Sequence, residues 1–186
     1  GCSDSFVVTV RCEDRRDCTQ PRGKQYWKEP EGCFYTPVSG IWQTVWLEAK
    51  NQLHLESVQI TPDIDERCIH LETSLAGCFT ESLHLDCQVS LNGRQVAHAV
   101  FSLPKSQTRQ TLCFPEESAL DNLHYWTPES PVLYDIQLTL LQDALALDTV
   151  SSYFGMRKIE VRDNMILLNN NVLFQRLCLD QGYWED

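Results

Sequence analysis

The chain has 186 residues, 42% of them hydrophobic and 10% aromatic, with a formal net charge of −11, so it is long and apolar enough to bury a core. Its acidity, broken only by the basic stretch from Arg22 to Lys24, argues against long-range attraction to nucleic acid or to an anionic membrane surface. No apolar run approaches the ~20 residues of a membrane-spanning helix, and no secretory leader opens the chain, whose first residues, Gly1-Cys2-Ser3, read as a cloning remnant.

In chain order, residues 1–48 offer one clear strand, "FVVTVRC", a polar loop rich in Arg, Asp and Pro, and a second strand, "GIWQTVWLE". Two strands and a loop cannot close a core, so this stretch reads as part of a domain. From residue 53 the dominant hydrophobic period is two. "RCIHLETSL" alternates through Ile69, Leu71 and Thr73, and "SLHLDCQVSL" places Leu83, Leu85, Cys87, Val89 and Leu91 on one face. Asn92-Gly93 then supplies the left-handed residues of a two-residue hairpin turn into "RQVAHAVFSL". "TLCF" puts Cys113 on an apolar phase, "LYDIQLTL" alternates through Tyr134, Ile136, Leu138 and Leu140, and "DTVSSYFGM" follows. Short strands bounded by Pro, Gly, Asn or Asp, with no amphipathic helix longer than three turns, predict an all-β chain centred on an antiparallel sandwich of immunoglobulin size over 53–158. Beyond Asn164, "MILLNNNVLFQRLCLD" predicts an Asn-rich turn and then a strand without clean alternation, expected to be buried on both faces as in a parallel sheet or barrel.

The side chains that carry chemistry form no recognisable motif. Nine cysteines, with no CxxC, predict reduced and mostly buried thiols and a cytoplasmic, reducing compartment. The five histidines show no HxxxH spacing and read as strand-surface residues. Asp63, Asp65 and Glu66 in "TPDIDER", and Glu116 and Glu117, read as solvated loop charges, and "DIDE" lacks the Gly and distal Glu of a calcium loop. No metal site and no cofactor are predicted. Tyr26, Trp27, Phe34, Tyr35, Trp42 and Trp46 suggest either a sugar-stacking platform or packing against the sandwich, of which packing is the reading preferred here.

Four stretches in order, "SGIWQTVWLE" (39–48), "WTPESPVLYDIQLTL" (126–140), "YFGMRKIEV" (153–161) and "ILLNNNVLFQRLCLDQGYW" (166–184), resemble consecutive signatures of glycoside hydrolase family 2, which contains β-galactosidases, β-glucuronidases and β-mannosidases. The resemblance implies that 1–48 is the end of a jelly-roll sugar-binding domain, 49–158 the immunoglobulin-like sandwich, and 159–186 the entry to a catalytic (β/α)8 barrel. It implies as partners the rest of the parent glycosidase and that enzyme's carbohydrate substrate. Two departures stand out. Asn169-Asn170-Asn171-Val172 occupies the place of Asn-Gly-Lys-Pro, and Arg176-Leu177-Cys178 that of Arg-Gly-Val.

Retaining glycosidases use two carboxyl groups ~5 Å apart. In the family the acid/base is the Glu of an Asn-Glu pair and the nucleophile a later Glu. No Asn-Glu pair occurs here, so the chain alone is expected to be inactive. Substrate-proximal roles in the parent fall by resemblance on Asp180, Gln181 and Trp184 after the first barrel strand, and on Glu31 in the loop "PRGKQYWKEPEGCFYT". Two rival readings are a free-standing carbohydrate-binding module, which the barrel-like strand at 166–179 disfavours, and a cell-surface adhesion sandwich, which the odd cysteine count disfavours.

Overall fold

The computed structural model describes residues 7–15, 19, 23–25, 31–41, 43–78, 82–115 and 123–179. The chain divides into two units, Ala49–Arg176 and the remainder, 1–48 with 177–186. The first unit is built from β1 (His54–Asp63), β2 (Cys68–Ala76), β3 (Leu83–Leu91), β4 (Arg94–Leu103), β5 (Gln107–Cys113), β6 (Tyr134–Gln142) and β7 (Leu145–Phe154). They form two antiparallel sheets, ordered β1-β2-β5 and β4-β3-β6-β7. The chain crosses from the second sheet to the first between β4 and β5, and returns before β6. This is the immunoglobulin-like sandwich that the period of two predicts.

Alternation sets which face is buried. In β3 Leu83, Leu85, Cys87, Val89 and Leu91 are all buried, and the register puts Leu85, Cys87 and Val89 opposite Leu140, Leu138 and Ile136 of β6. Ile69 and Leu71 of β2 and Leu112 of β5 join the same core from the other sheet. Tyr134 sits at its end with no exposed surface. Its ring stacks on Phe154 at 5.5 Å and meets Phe114 edge-on at 5.7 Å, while its hydroxyl accepts the His124 N–H at 2.9 Å. The aromatic body is thus desolvated and its polar tip satisfied. Burial pushes the phenol pKa up. The β3–β4 hairpin turns through Asn92 and Gly93 at φ 50° and 76°, the pair of left-handed residues a type I′ turn needs.

After the sandwich come three shorter strands, β8 (Ile159–Arg162), β9 (Met165–Leu168) and β10 (Asn171–Val172), in the antiparallel order β10-β9-β8. The Asn-rich turn forms as expected: Asn169 and Asn170 connect β9 to β10 at φ 51° and 66°, a conformation that asparagine tolerates better than most residues. No helix among the described residues is long and apolar enough to cross a membrane.

Four local expectations are corrected. The strand expected in "FVVTVRC" is not formed over its described residues, and Val7, Val8 and Val10 are 59–92% exposed. "GIWQTVWLE" likewise forms no strand where described, and Val45, Trp46 and Leu47 are 71–77% exposed. The doubly buried strand expected after the Asn-rich turn stops at Val172, and Phe174, Leu177 and Leu179 are 80–85% exposed. One cause covers all three, since a strand is held by ladder bonds to a neighbour and no described strand pairs with these segments. The expected burial of the thiols fails at Cys12, Cys33, Cys78, Cys113 and Cys178, all exposed; at Cys113 the reason is that in β5 the buried position is its neighbour Leu112. Cys87, by contrast, is buried as expected.

Candidate functional site

The segments that carry the family signatures meet where the chain leaves β7. Trp126 N–H donates to Met156 O at 2.9 Å, which lays the "WTPESP" segment along "YFGMR". The indole rests on Gly155, where an added Cβ would lie 3.0 Å from the Trp126 Cβ and 3.2 Å from its Cγ and Cδ1. A glycine is therefore required by the close approach of the ring. Arg157 covers the indole from another side, its guanidinium carbon 4.7 Å from the ring centroid, a cation–π contact of about 0.5–1 kcal/mol at an exposed position.

Asn169 ties the outgoing strands to this place. Its N–H donates to Lys158 O at 2.9 Å, its Oδ1 accepts the Lys158 N–H at 3.0 Å, and its Nδ2 donates to Trp126 O at 3.0 Å. The side chain acts as one more rung between three backbone segments. Beside it Lys158 Nζ bonds Asp65 at 2.7 Å and lies 3.4 Å from Glu160, and Asn170 Nδ2 donates to Asp65 at 2.7 Å. The "DIDE" turn is thereby drawn into a structural junction, where Asp65 is an anchor rather than a free loop charge. The Lys158 hydrogen bond, then the Asn170 one, holds the Asp65 carboxyl below the usual carboxylate range, and Asp65 in turn holds the Lys158 ammonium above its own. A glycosidase acid needs a carboxyl kept protonated, so Asp65 is set for holding structure and not for proton donation.

Of the residues singled out for contact with substrate, Glu31 is exposed, and its carbonyl accepts the Phe34 N–H at 3.1 Å in a turn. Asp180, Gln181 and Trp184 lie outside the described residues, as do Tyr26, Trp27 and Trp42 of the aromatic group. Glu31 and the junction residues fall in different units. Sequence reasoning missed the joint role of Trp126, Gly155, Lys158 and Asn169, whose only signal was their place inside the signature stretches. It also read His70, like the other histidines, as a strand-surface residue, whereas the fold brings His70 together with Asp63 and Cys68.

Known proteins match along this same stretch. The profile of the glycosyl hydrolases family 2 matches residues 53–157. A β-galactosidase of Photobacterium profundum is 27% identical over 149 residues, covering 75% of this chain and 14% of its own length. A β-galactosidase of Thermoanaerobacter pseudethanolicus is 26% identical over 140 residues, covering 73% of this chain and 18% of its own. Among solved structures a β-glycosidase from Bacteroides vulgatus superposes over 76% of this chain and 18% of its own, with a TM-score of 0.61 at 20% identity, a likeness of fold. The chain thus spans 14–18% of the length of these relatives. With its profile match running over the whole sandwich and ending at Arg157, the chain belongs to glycosyl hydrolase family 2.

Proposed function

We propose that the chain is a non-catalytic, structural segment of a retaining β-glycosidase acting on β-galactosides, β-glucuronides or related sugars. The single observation that carries this reading is the junction around Trp126, Gly155, Lys158 and Asn169, which fixes the direction in which the chain leaves the sandwich. A joint of this kind suits a domain that sets others in place, because near-attack geometry in a distant pocket is lost with displacements of about 1 Å. In this reading 1–48 is the end of a jelly roll, 159–186 leads into a (β/α)8 barrel, and Asp180, Gln181, Trp184 and Glu31 approach the sugar in the assembled enzyme. Free thiols at Cys12, Cys33, Cys68, Cys78, Cys87, Cys113 and Cys178 support a reducing, cytoplasmic setting.

The test is a pair of assays on the purified chain. Nitrophenyl β-galactoside and β-glucuronide should show no hydrolysis above buffer background, and a β-glycan affinity gel should not retard the chain. Turnover that survives repurification would contradict the non-catalytic role, and retardation abolished by free sugar would favour a carbohydrate-binding module instead.

A further inference from the structure

On the outer face of the β1-β2-β5 sheet, three side chains of the kinds that ligate zinc converge. One ligand atom each of Asp63, Cys68 and His70 lies within 4.8 Å of the others. Register explains the convergence: Cys68 and His70 are two apart on β2, Asp63 of β1 pairs with Cys68, and on the far side Cys113 and Thr111 of β5 pair with Cys68 and His70. The ladder brings the β5 partners close. Phe114 N–H donates to Arg67 O at 2.9 Å and Leu75 N–H to Ser106 O at 2.8 Å, and both bonds share the register of the Cys68–Cys113 pair. Counting in steps of two from either bond leaves 68/113 and 70/111 at non-hydrogen-bonded positions, where opposed Cα atoms approach to about 4.5 Å. Cys113 stands directly across from Cys68 in this register, although its sulfur does not join the cluster of three.

Asp63 and His70 are each also held by a bond that leaves the other donor atom free. Asp63 Oδ1 accepts the N–H groups of Asp65 and Glu66, both at 3.0 Å, while Oδ2 faces His70 Nε2 at 3.9 Å. His70 Nδ1 is bonded to Thr111 Oγ1 at 2.9 Å, which leaves Nε2 toward Asp63. A separation of 3.9 Å is too long for a hydrogen bond, and closing it by about 0.6 Å would reach the ~3.3 Å between two ligands of one tetrahedral zinc ion, each about 2.0 Å from the metal. Orienting bonds on the far atom of a histidine and a carboxylate are what metal sites place around their ligands. His70 and Asp63 are 24% and 32% exposed, so an ion can reach them.

We propose that Asp63, Cys68 and His70 form a tetrahedral site for Zn²⁺ on the sandwich, completed by Cys113 through a turn of its side chain from the opposed position on β5, with Thr111 as a positioning residue. Mixed thiolate, imidazole and carboxylate donors favour zinc over the hard cations magnesium and calcium. The site adjoins the junction through the turn that carries both Asp63 and Asp65, but it uses other side chains and does not depend on the glycosidase reading.

The test is titration of the full chain, kept reduced by a phosphine, with Co²⁺ as a spectroscopic probe and then with Zn²⁺. One equivalent of Co²⁺ should give a thiolate-to-metal charge-transfer band and the intense visible bands of a tetrahedral ion, both erased by one equivalent of Zn²⁺. Cys68→Ala and His70→Ala should each weaken binding at least tenfold, and Thr111→Val about 10- to 100-fold. Cys78→Ser and Cys178→Ser should leave it unchanged. Because Cys68 is buried, Asp63→Asn serves as the variant that keeps the fold: its Oδ1 still accepts from residues 65 and 66, while the ligand oxygen is lost. At least tenfold weaker binding is expected there too. Weak, octahedral Co²⁺ spectra in the parent chain, or tetrahedral bands that persist undiminished in His70→Ala and Asp63→Asn, overturn the proposal.

Discussion

Replacing Asn169 separates two contributions that the junction combines. Its side chain makes two hydrogen bonds, accepting from Lys158 N–H at 3.0 Å and donating to Trp126 O at 3.0 Å, in a partly buried setting. At about 0.5–1.5 kcal/mol each, their loss costs roughly 1–3 kcal/mol. The backbone adds a second cost: Asn169 holds φ 51°, where a residue with a Cβ and no local polar group is disfavoured by about 1–2 kcal/mol. Asn169→Ala should therefore destabilise Ala49–Arg176 by roughly 2–5 kcal/mol. Asn169→Gly loses the same two bonds but accepts the left-handed conformation, so it should be the milder change although glycine is the smaller residue. Urea unfolding followed by circular dichroism and by alkylation of buried Cys87 measures both variants. A glycine variant as unstable as the alanine one, or an alanine variant within about 0.5 kcal/mol of the parent, refutes the reasoning.

Three further outcomes are expected. Gly155→Ala places a methyl 3.0 Å from the Trp126 Cβ and should cost about 1–3 kcal/mol by overpacking; thermal unfolding reads this directly, and adding Trp126→Leu should recover part of the loss. Leu138→Ala empties a position with no exposed surface at the centre of β6 and should cost about 2–5 kcal/mol in denaturant unfolding. Burial, and next the Asp86 charge, push the Cys87 thiol up to about 12 from 9.0. A raised folded-state pKa means that the folded chain keeps a proton the unfolded chain releases, so this contribution is full below pH 9 and lost as pH rises toward 12. Stability measured from pH 8 to 11 should accordingly fall more steeply in the parent than in Cys87→Ala.

Much of the sandwich was legible in the sequence because its core strands bury one face: β3 alternates through nine positions, and the Asn92-Gly93 turn names its own geometry. β1 was harder, since a bulge between Leu55 and Ser57 breaks the alternation and only Leu55 is fully buried. The expected strands in 1–48 and beyond Val172 failed for another reason. Period and propensity describe what a segment can pair with, and no described strand pairs with them. The junction was partly visible, as signature stretches around Trp126 and Asn169, but the contact of Trp126 with Gly155 depends on how β7 ends. The Asp63, Cys68 and His70 cluster was illegible because the register that opposes Asp63 to Cys68 has no marker in a motif. Resemblance supplied Glu31, Asp180, Gln181 and Trp184, and local patterning had nothing to add to them.

The proposed positioning role is tested most directly by breaking the junction in a longer polypeptide that joins this sequence to the jelly-roll and barrel domains the proposal requires, and measuring kcat/KM on a nitrophenyl β-glycoside. The variant is Asn169→Gly, chosen because the sandwich should survive it, with folding checked by circular dichroism and burial of Cys87. A loss of at least tenfold in kcat/KM is predicted, equivalent to about 1.4 kcal/mol of transition-state stabilisation. A folded variant whose kcat/KM stays within about twofold of the parent, a difference of about 0.4 kcal/mol, would contradict it.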